Sequence, residues 1–373
     1  MVIAHFLKWV ELAKVSERAA AAAALARAYT QGDMAFEDRC AAEAGMTFLL
    51  DDPSSKVRQS LAEVLSLSPF APPQIIAALA ADQPEVAGLV LARSPLLSDL
   101  DLIESVASRH ISTQKLIAAR PRISMAVSAA IAEVAEADAC SVLLDNTGAD
   151  IASLSFRRMA ERFGHLGGLR ERMIADARLP AESRHMLLVM IGEALRRAPL
   201  VRALVGDAHA DRITHNACVK ASLTLIDRIG SEEYPALIEH IRLRGDLTAS
   251  FLVRAVAHGK VDFFGAALVA LTGQSERRVR ALLANGFDTA LRAVFAKAGI
   301  SQQTHAVLLC ALKIWRLVAR GKRVAGAQEV SWLMLKELGG QGAQGDLAAL
   351  LRSIHLDMLR ANARGHALAI AAA

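Results

Sequence analysis

The chain has 373 residues, of which 53% are hydrophobic but only 4% aromatic, and it carries a formal charge of +5. That length exceeds one ordinary compact core, so two domains or an extended repeat array are expected. Its apolar mass is mostly Ala and Leu, which favours helices over sheets, and no stretch of about 18 residues is free of charge, which excludes a transmembrane helix despite a mean hydropathy of +0.31.

From Ile3, the apolar residues Phe6, Leu7 and Val10 recur at helical spacing and predict an amphipathic helix running through the Ala-rich stretch to about Tyr29. Lys8, Glu11, Lys14, Glu17 and Arg18 interrupt it too early for a signal peptide. A second helix is predicted from Phe36 to Leu50. Asp52-Pro53-Ser54-Ser55 then looks like an acidic N-cap with proline at the first helical position, opening a helix with Val57, Leu61, Val64 and Leu65 on one face.

That unit recurs in degenerate form. Asp82-Gln83-Pro84-Glu85-Val86 opens a helix with Val86, Leu89 and Val90 inward, and Val86 continues a series that Val57 begins. Ser98 and Asp101 form a capping-box-like start for Leu102, Ile103 and Val106, while Ser112 is expected to cap the next helix, with Ile111 stapled onto Leu116, the next member of that series. Ser68-Pro69, Pro72-Pro73, Ser94-Pro95 and Arg120-Pro121 separate these starts, since a residue before proline is pushed out of the helical region. A period near thirty residues with two short helices each implies an all-α fold. The expected form is a HEAT-like α-solenoid of short helix pairs, followed by a less regular helical C-terminal half.

After Asp145-Asn146-Thr147-Gly148 the regularity fades, although helices are predicted at 151–163, 169–177, 181–197, 211–228, 231–243, 247–257, 261–271, 275–284 and 302–320. The break at His165-Leu166-Gly167-Gly168 suggests a repeat region at 1–165 and a helical C-terminal region at 166–338. The remaining 339–373 would hold a flexible Gly339–Gly345 linker and a last amphipathic helix from Asp346 to about Arg364.

Taken together, Phe6-Leu7-Lys8-Trp9 through Arg18, Ala26-Arg27-Ala28-Tyr29, Leu49-Leu50-Asp51-Asp52-Pro53-Ser54 and Val57-Arg58 carry a likeness that later segments extend. Those segments are Leu252-Val253-Arg254-Ala255, Phe263-Phe264-Gly265-Ala266-Ala267-Leu268 and Val279-Arg280-Ala281-Leu282-Leu283. With them the chain resembles, over most of residues 1–320, the bacterial family known as domain of unknown function 2336. The resemblance implies a HEAT-like helical protein of uncharacterised role and supplies no catalytic residue, because its motifs are helix caps and core stripes.

Chemistry-bearing motifs are sparse. Cys40, Cys140, Cys218 and Cys310 are far apart, so they predict small buried thiols in a reducing compartment, and a cytoplasmic location follows. Asp207, Asp211 and His215 recur at four-residue spacing with His209 nearby, a conceivable metal face outweighed by ordinary caps and surface. Gly259-Lys260 fails as a phosphate loop, since Arg254 and Val261 stand where glycine and a hydroxyl are needed. No cofactor is expected and no enzyme motif is present.

Charge is more informative. Residues 276–323 hold ten bases against two acids, so the basic excess is concentrated there. Arg277, Arg278, Arg280, Lys313, Arg316 and Arg320 form a candidate surface for an anionic partner, with Phe287, Phe295 and Trp315 assigned to the core rather than to base stacking. The leading expectation is a non-enzymatic scaffold or adaptor that binds another protein. The alternatives are a nucleic-acid-binding protein using 276–323 and an enzyme or regulator with an unrecognised site.

Overall fold

A computed structural model describes residues 8–31, 34–108, 110–339 and 345–372, and among them the chain is all-α, with an isolated bridge between Ile123 and Ala149 as its β-type pairing. Its contacts divide into two compact units, residues 1–179 and 180–373. Among the described residues no helix is long and apolar enough to cross a membrane. Residues 340–344 of the expected linker lie outside the described residues, as do Ile3, Phe6 and Leu7.

The first unit contains α1 (Val15–Thr30), α2 (Phe36–Leu50), α3 (Ser55–Leu65), α4 (Pro73–Ala80), α5 (Pro84–Arg93), α6 (Asp99–Ser108), α7 (Ile111–Ala118), α8 (Met125–Val134), α9 (Ala137–Asp145), α10 (Ser153–Phe163) and α11 (Gly167–Ala175). Each odd-numbered helix packs on the next odd-numbered one from α1 to α11. Among the even-numbered helices α2 packs on α4, α6 on α8 and α8 on α10. Short connections make sequence neighbours antiparallel. The odd-numbered series is continuous, whereas the even-numbered one is interrupted between α4 and α6. An isolated parallel bridge joins Ile123, just before α8, to Ala149, ahead of α10.

Burial shows which residues of these helices face inward. The inner residues are Val86, Ala87, Val90 and Leu91 on α5, then Thr113, Gln114, Ile117 and Ala118 on α7, then Ala139, Cys140, Leu143 and Leu144 on α9. The steps from Val86 to Thr113 and from Thr113 to Ala139 are both shorter than the step from Val57 to Val86. Leu116 therefore does not continue the inner line of Val57 and Val86. It is half-exposed while its neighbour Ile117 is sealed. Helix α7 starts at Ile111 after His110, so Ser112 lies inside it and is not its cap.

Guanidinium and amide groups tie the helices to ends of earlier ones. Arg120 donates to the Leu91 and Ser94 carbonyls at 2.6 and 2.7 Å. Asn146 reaches the Ala118 and Arg120 carbonyls at 2.9 and 2.7 Å, and Arg162 reaches those of Ala132 and Ala135 at 2.7 and 2.9 Å. Arg178 takes the Leu144 and Ala149 carbonyls at 2.8 and 3.1 Å. Each satisfies carbonyls at or just past the end of a helix, where the last turn has no N–H partner of its own and the dipole favours positive charge.

The same logic corrects two N-terminal expectations. Arg18 grips the Asp52 carboxylate at 2.7 and 3.0 Å and also takes the Ala13 carbonyl at 2.8 Å, while Glu17 accepts from the Lys14 N–H. The helix expected from Ile3 is thus broken at Ala13-Lys14, and α1 begins at Val15. Asp52 closes a turn onto the Ser54 N–H at 2.9 Å, so α3 begins at Ser55 and Pro53 lies outside it. Asp52 is held below the usual carboxylate range because hydrogen bonds from Arg18 and Ser54 outweigh the upward push of burial. By contrast the Ser98–Asp101 capping box forms as expected, with reciprocal backbone bonds of 2.9 and 3.3 Å.

The second unit contains α12 (Ala181–Arg197), α13 (Pro199–Val205), α14 (Asp207–Ile226), a 3-10 turn at Ser231–Glu233, α15 (Tyr234–Leu243), α16 (Ala249–Ala257), α17 (Val261–Thr272), α18 (Glu276–Asn285), α19 (Asp288–Lys297), α20 (Gln302–Ala319), α21 (Ala327–Gly339) and α22 (Asp346–Ala372). Helix α16 is its hub: Phe251, Leu252, Val253, Ala255, Val256 and Ala257 are all buried, and α17, α20, α21 and α22 pack around it. Phe263 receives Tyr234 and Phe251 edge-on at 5.5 and 6.1 Å, and Phe264 meets Phe295 at 5.9 Å. Gly259, at φ +78°, ends α16 where a side chain would crowd the Trp315 ring, whose Nε1 donates to the Val256 carbonyl at 2.7 Å. Phe295 and Trp315 sit in this core, but Phe287 does not and lies exposed at the start of α19.

Candidate functional site

The basic segment assembles in the second unit, where many of its charges are already engaged. Arg316 caps α18, donating to the Leu283 carbonyl at 2.5 Å, Leu282 at 2.8 Å and Gly286 at 3.2 Å, and burial pushes its pKa down. Arg320 donates to the Ala284 carbonyl and the Asn285 side chain. Lys313 pairs with Asp288, and Arg280 with Glu276, each at 2.7 Å. Arg277 and Arg278 are exposed on the first turn of α18. Of the six residues, four are therefore joined to neighbours in the fold.

The polar residues of α14 part company. Asp207 pairs with Arg202 at 2.6 Å and His209 lies 2.6 Å from Arg212, whereas Asp211 faces Arg196 at 3.7 Å. Among the described residues no group of three or more His, Cys, Asp or Glu side chains converges as a metal site. Cys40 is exposed, against expectation, while Cys140 is buried and its thiol is pushed up to about 11 by desolvation.

Asp211 and His215 instead join a cavity of about 420 Å³ bounded by α12, α14, the α15–α16 turn and the start of α16. Gly192 lets α12 and α14 approach, since a Cβ there would stand 2.3 Å from the Cys218 Sγ. Val189, Val219, Ile241 and Phe251 contribute apolar side chains to the cavity lining. Arg196, Arg244 and Arg254 bring three guanidinium groups to the lining.

Their partners differ. Arg244 reaches Glu193 and Asp246, each at 3.2 Å, and Arg196 faces Asp211. Arg254 has an 11% exposed side chain and lies 4.0 Å from Asp357, beyond hydrogen-bonding range, while Lys220 holds that carboxylate at 2.9 Å. Burial lowers the Arg254 pKa, only partly offset by Asp357. The Arg254 donors are thus left available to the cavity.

Behind the cavity, His185 is 2% exposed. The Ser222 hydroxyl donates to the Cys218 carbonyl at 2.8 Å, so it accepts from His185 Nε2 at 2.9 Å and fixes the tautomer with Nδ1 bare. Among the described residues Nδ1 has no hydrogen-bond partner. Burial, then the nearby His240 and Arg244, depress the His185 pKa to about 3, so the ring is neutral near pH 7.

Sequence reasoning missed this cavity because its walls come from segments far apart in the chain. The first unit offers a different feature. Leu100, Met125 and Leu154 occupy the first turns of α6, α8 and α10, and are 72%, 51% and 73% exposed. These helices pack in succession, α6 on α8 and α8 on α10, so the three side chains occupy corresponding positions at the N-terminal ends of neighbouring helices.

Neither the curated proteins nor the solved structures contain a match to the chain. The profile of one family, described as an uncharacterised protein conserved in bacteria (DUF2336), does match, over residues 86–348. The match takes in all but the start of α5 and runs through α21, and it leaves out the Phe6–Arg58 stretch that contributed to the resemblance in sequence. The chain belongs to this bacterial family.

Proposed function

We propose that the protein is a non-enzymatic scaffold whose HEAT-like stack of helix pairs docks a segment of another protein. The observation that carries this reading is the row of exposed Leu100, Met125 and Leu154 at equivalent positions of successive even-numbered helices. Large apolar side chains repeated along one edge suit a partner that presents several anchors in register. Four unpaired cysteines accord with work in the cytoplasm. The nucleic-acid reading has less to draw on, since Arg316 and Arg320 serve the end of α18 and Lys313 and Arg280 are paired.

A photo-crosslinking residue placed at Leu100 or Leu154 in cells tests the proposal. The expected result is one discrete protein adduct from both positions and none from Arg277 or Arg278. Adducts only at the arginines, or none from the edge, would sink it. A labelled DNA duplex whose affinity falls steeply with salt and is lost on charge reversal at Arg277 and Arg278 would favour the alternative.

A further inference from the structure

The cavity beside Arg254 is built to receive something the fold itself does not provide. Three features converge there. The Arg254 guanidinium, largely enclosed, makes no hydrogen bond among the described residues, its nearest carboxylate standing 4.0 Å away and held by Lys220. The other two guanidinium groups of the lining face carboxylates within it, Arg244 with Glu193 and Asp246, and Arg196 with Asp211. The same lining carries the apolar side chains of Val189, Val219, Ile241 and Phe251, and the volume of about 420 Å³ falls in the range of small-molecule sites.

The geometry points to a binding site for a small amphiphilic organic anion, its oxyanion head on Arg254 and its apolar body against Val189, Val219, Ile241 and Phe251. A guanidinium offers five donors in a planar fork that matches a carboxylate or a phosphate. An inorganic ion would leave the apolar side chains bare. A neutral apolar molecule would leave the guanidinium without a partner. This site is independent of the docking edge in the first unit, so either can fail without the other.

Titration calorimetry on the full chain is the test, with phenylacetate and indole-3-acetate as carboxylate probes and phenyl phosphate as the phosphate probe. Phenylacetamide and inorganic phosphate remove the charge and the apolar body in turn. At least one aryl anion should bind about tenfold or more tighter than either control, the fold-change that a hydrogen bond to a charged group supplies. The better of the carboxylate and phosphate arms names the head group.

Arg254→Gln should abolish the difference and Arg254→Lys should retain part of it, with thermal unfolding confirming that both variants fold. Bound probe should also slow alkylation of Cys218, which lines the cavity, and leave Cys310 unaffected. Absence of binding by every aryl anion would overturn the proposal. So would equal binding of phenylacetamide or inorganic phosphate, or unchanged binding in Arg254→Gln, which would leave Arg254 as no more than a distant partner of Asp357.

Discussion

The two units solve the same problem with different materials. In the first, short helices with Ala, Leu, Ile and Val inner faces are joined by polar ties such as Arg120, Asn146 and Arg162, each reaching carbonyls at the end of an earlier helix. In the second, one largely buried helix, α16, contributes Phe251 to a core that also holds the rings of Phe263, Phe264 and Phe295. Short helices leave many unfilled carbonyls at closely spaced ends, so a stack needs caps at each step. A hub helix needs bulk around it, and aromatic side chains supply most area per residue.

The largest expected effect follows from that contrast. Phe263→Ala should destabilise the second unit by about 4 kcal/mol, because it removes a fully buried ring and leaves a cavity between Tyr234 and Phe251. Hydrogen exchange read by mass spectrometry should show the loss across α15–α17 and leave α5–α9 unchanged. Arg120→Ala should act in the opposite unit at about 3 kcal/mol, since two short bonds to the Leu91 and Ser94 carbonyls disappear. Protection should then fall in α5 and α7. A loss of protection in the second unit instead would break the distinction.

How much of this was legible in the sequence depends on whether a signal is local. Ser98–Asp101 and Pro84 mark helix starts within a few residues, and both are found where expected. The inner face of α7 was not legible, because Leu116 and Ile117 are adjacent and equally apolar, and only packing decides between them. The true spacing did leave a trace in Ser68-Pro69, Ser94-Pro95 and Arg120-Pro121, whose prolines are evenly spaced. Reading Val57, Val86 and Leu116 as equivalent obscured it. The roles of Arg120 and Arg316 depend on carbonyls about thirty residues upstream, and carbonyls carry no sequence signature. The cavity beside Arg254 is hidden for the same reason.

A smaller effect tests burial of charge in the second unit. His185 has a pKa near 3 in the folded chain against 6.5 when exposed, so the unfolded chain binds a proton first as pH falls. Its contribution to stability is complete above about pH 6.5 and declines towards pH 3, with a slope approaching about 1.4 kcal/mol per pH unit. At pH 5 the loss relative to pH 7 should be about 2 kcal/mol. Denaturant titrations of His185→Gln should show a flatter acid limb than the parent. Parallel acid limbs would mean that the ring is not held neutral.

The smallest effect concerns the docking edge, where the argument needs stability not to change. Leu100→Ser and Leu154→Ser remove side chains that are mostly in water, so each should alter unfolding free energy by no more than about 0.5 kcal/mol. Ile117→Ser, on a buried position of the same stack, should cost several-fold more. If the edge substitutions prove as costly as the buried one, Leu100 and Leu154 are packing elements of the unit and the row is no docking surface. If they are silent for stability yet abolish the crosslinked adduct, the apolar edge is retained for a partner, since nothing in the folding of the unit requires it.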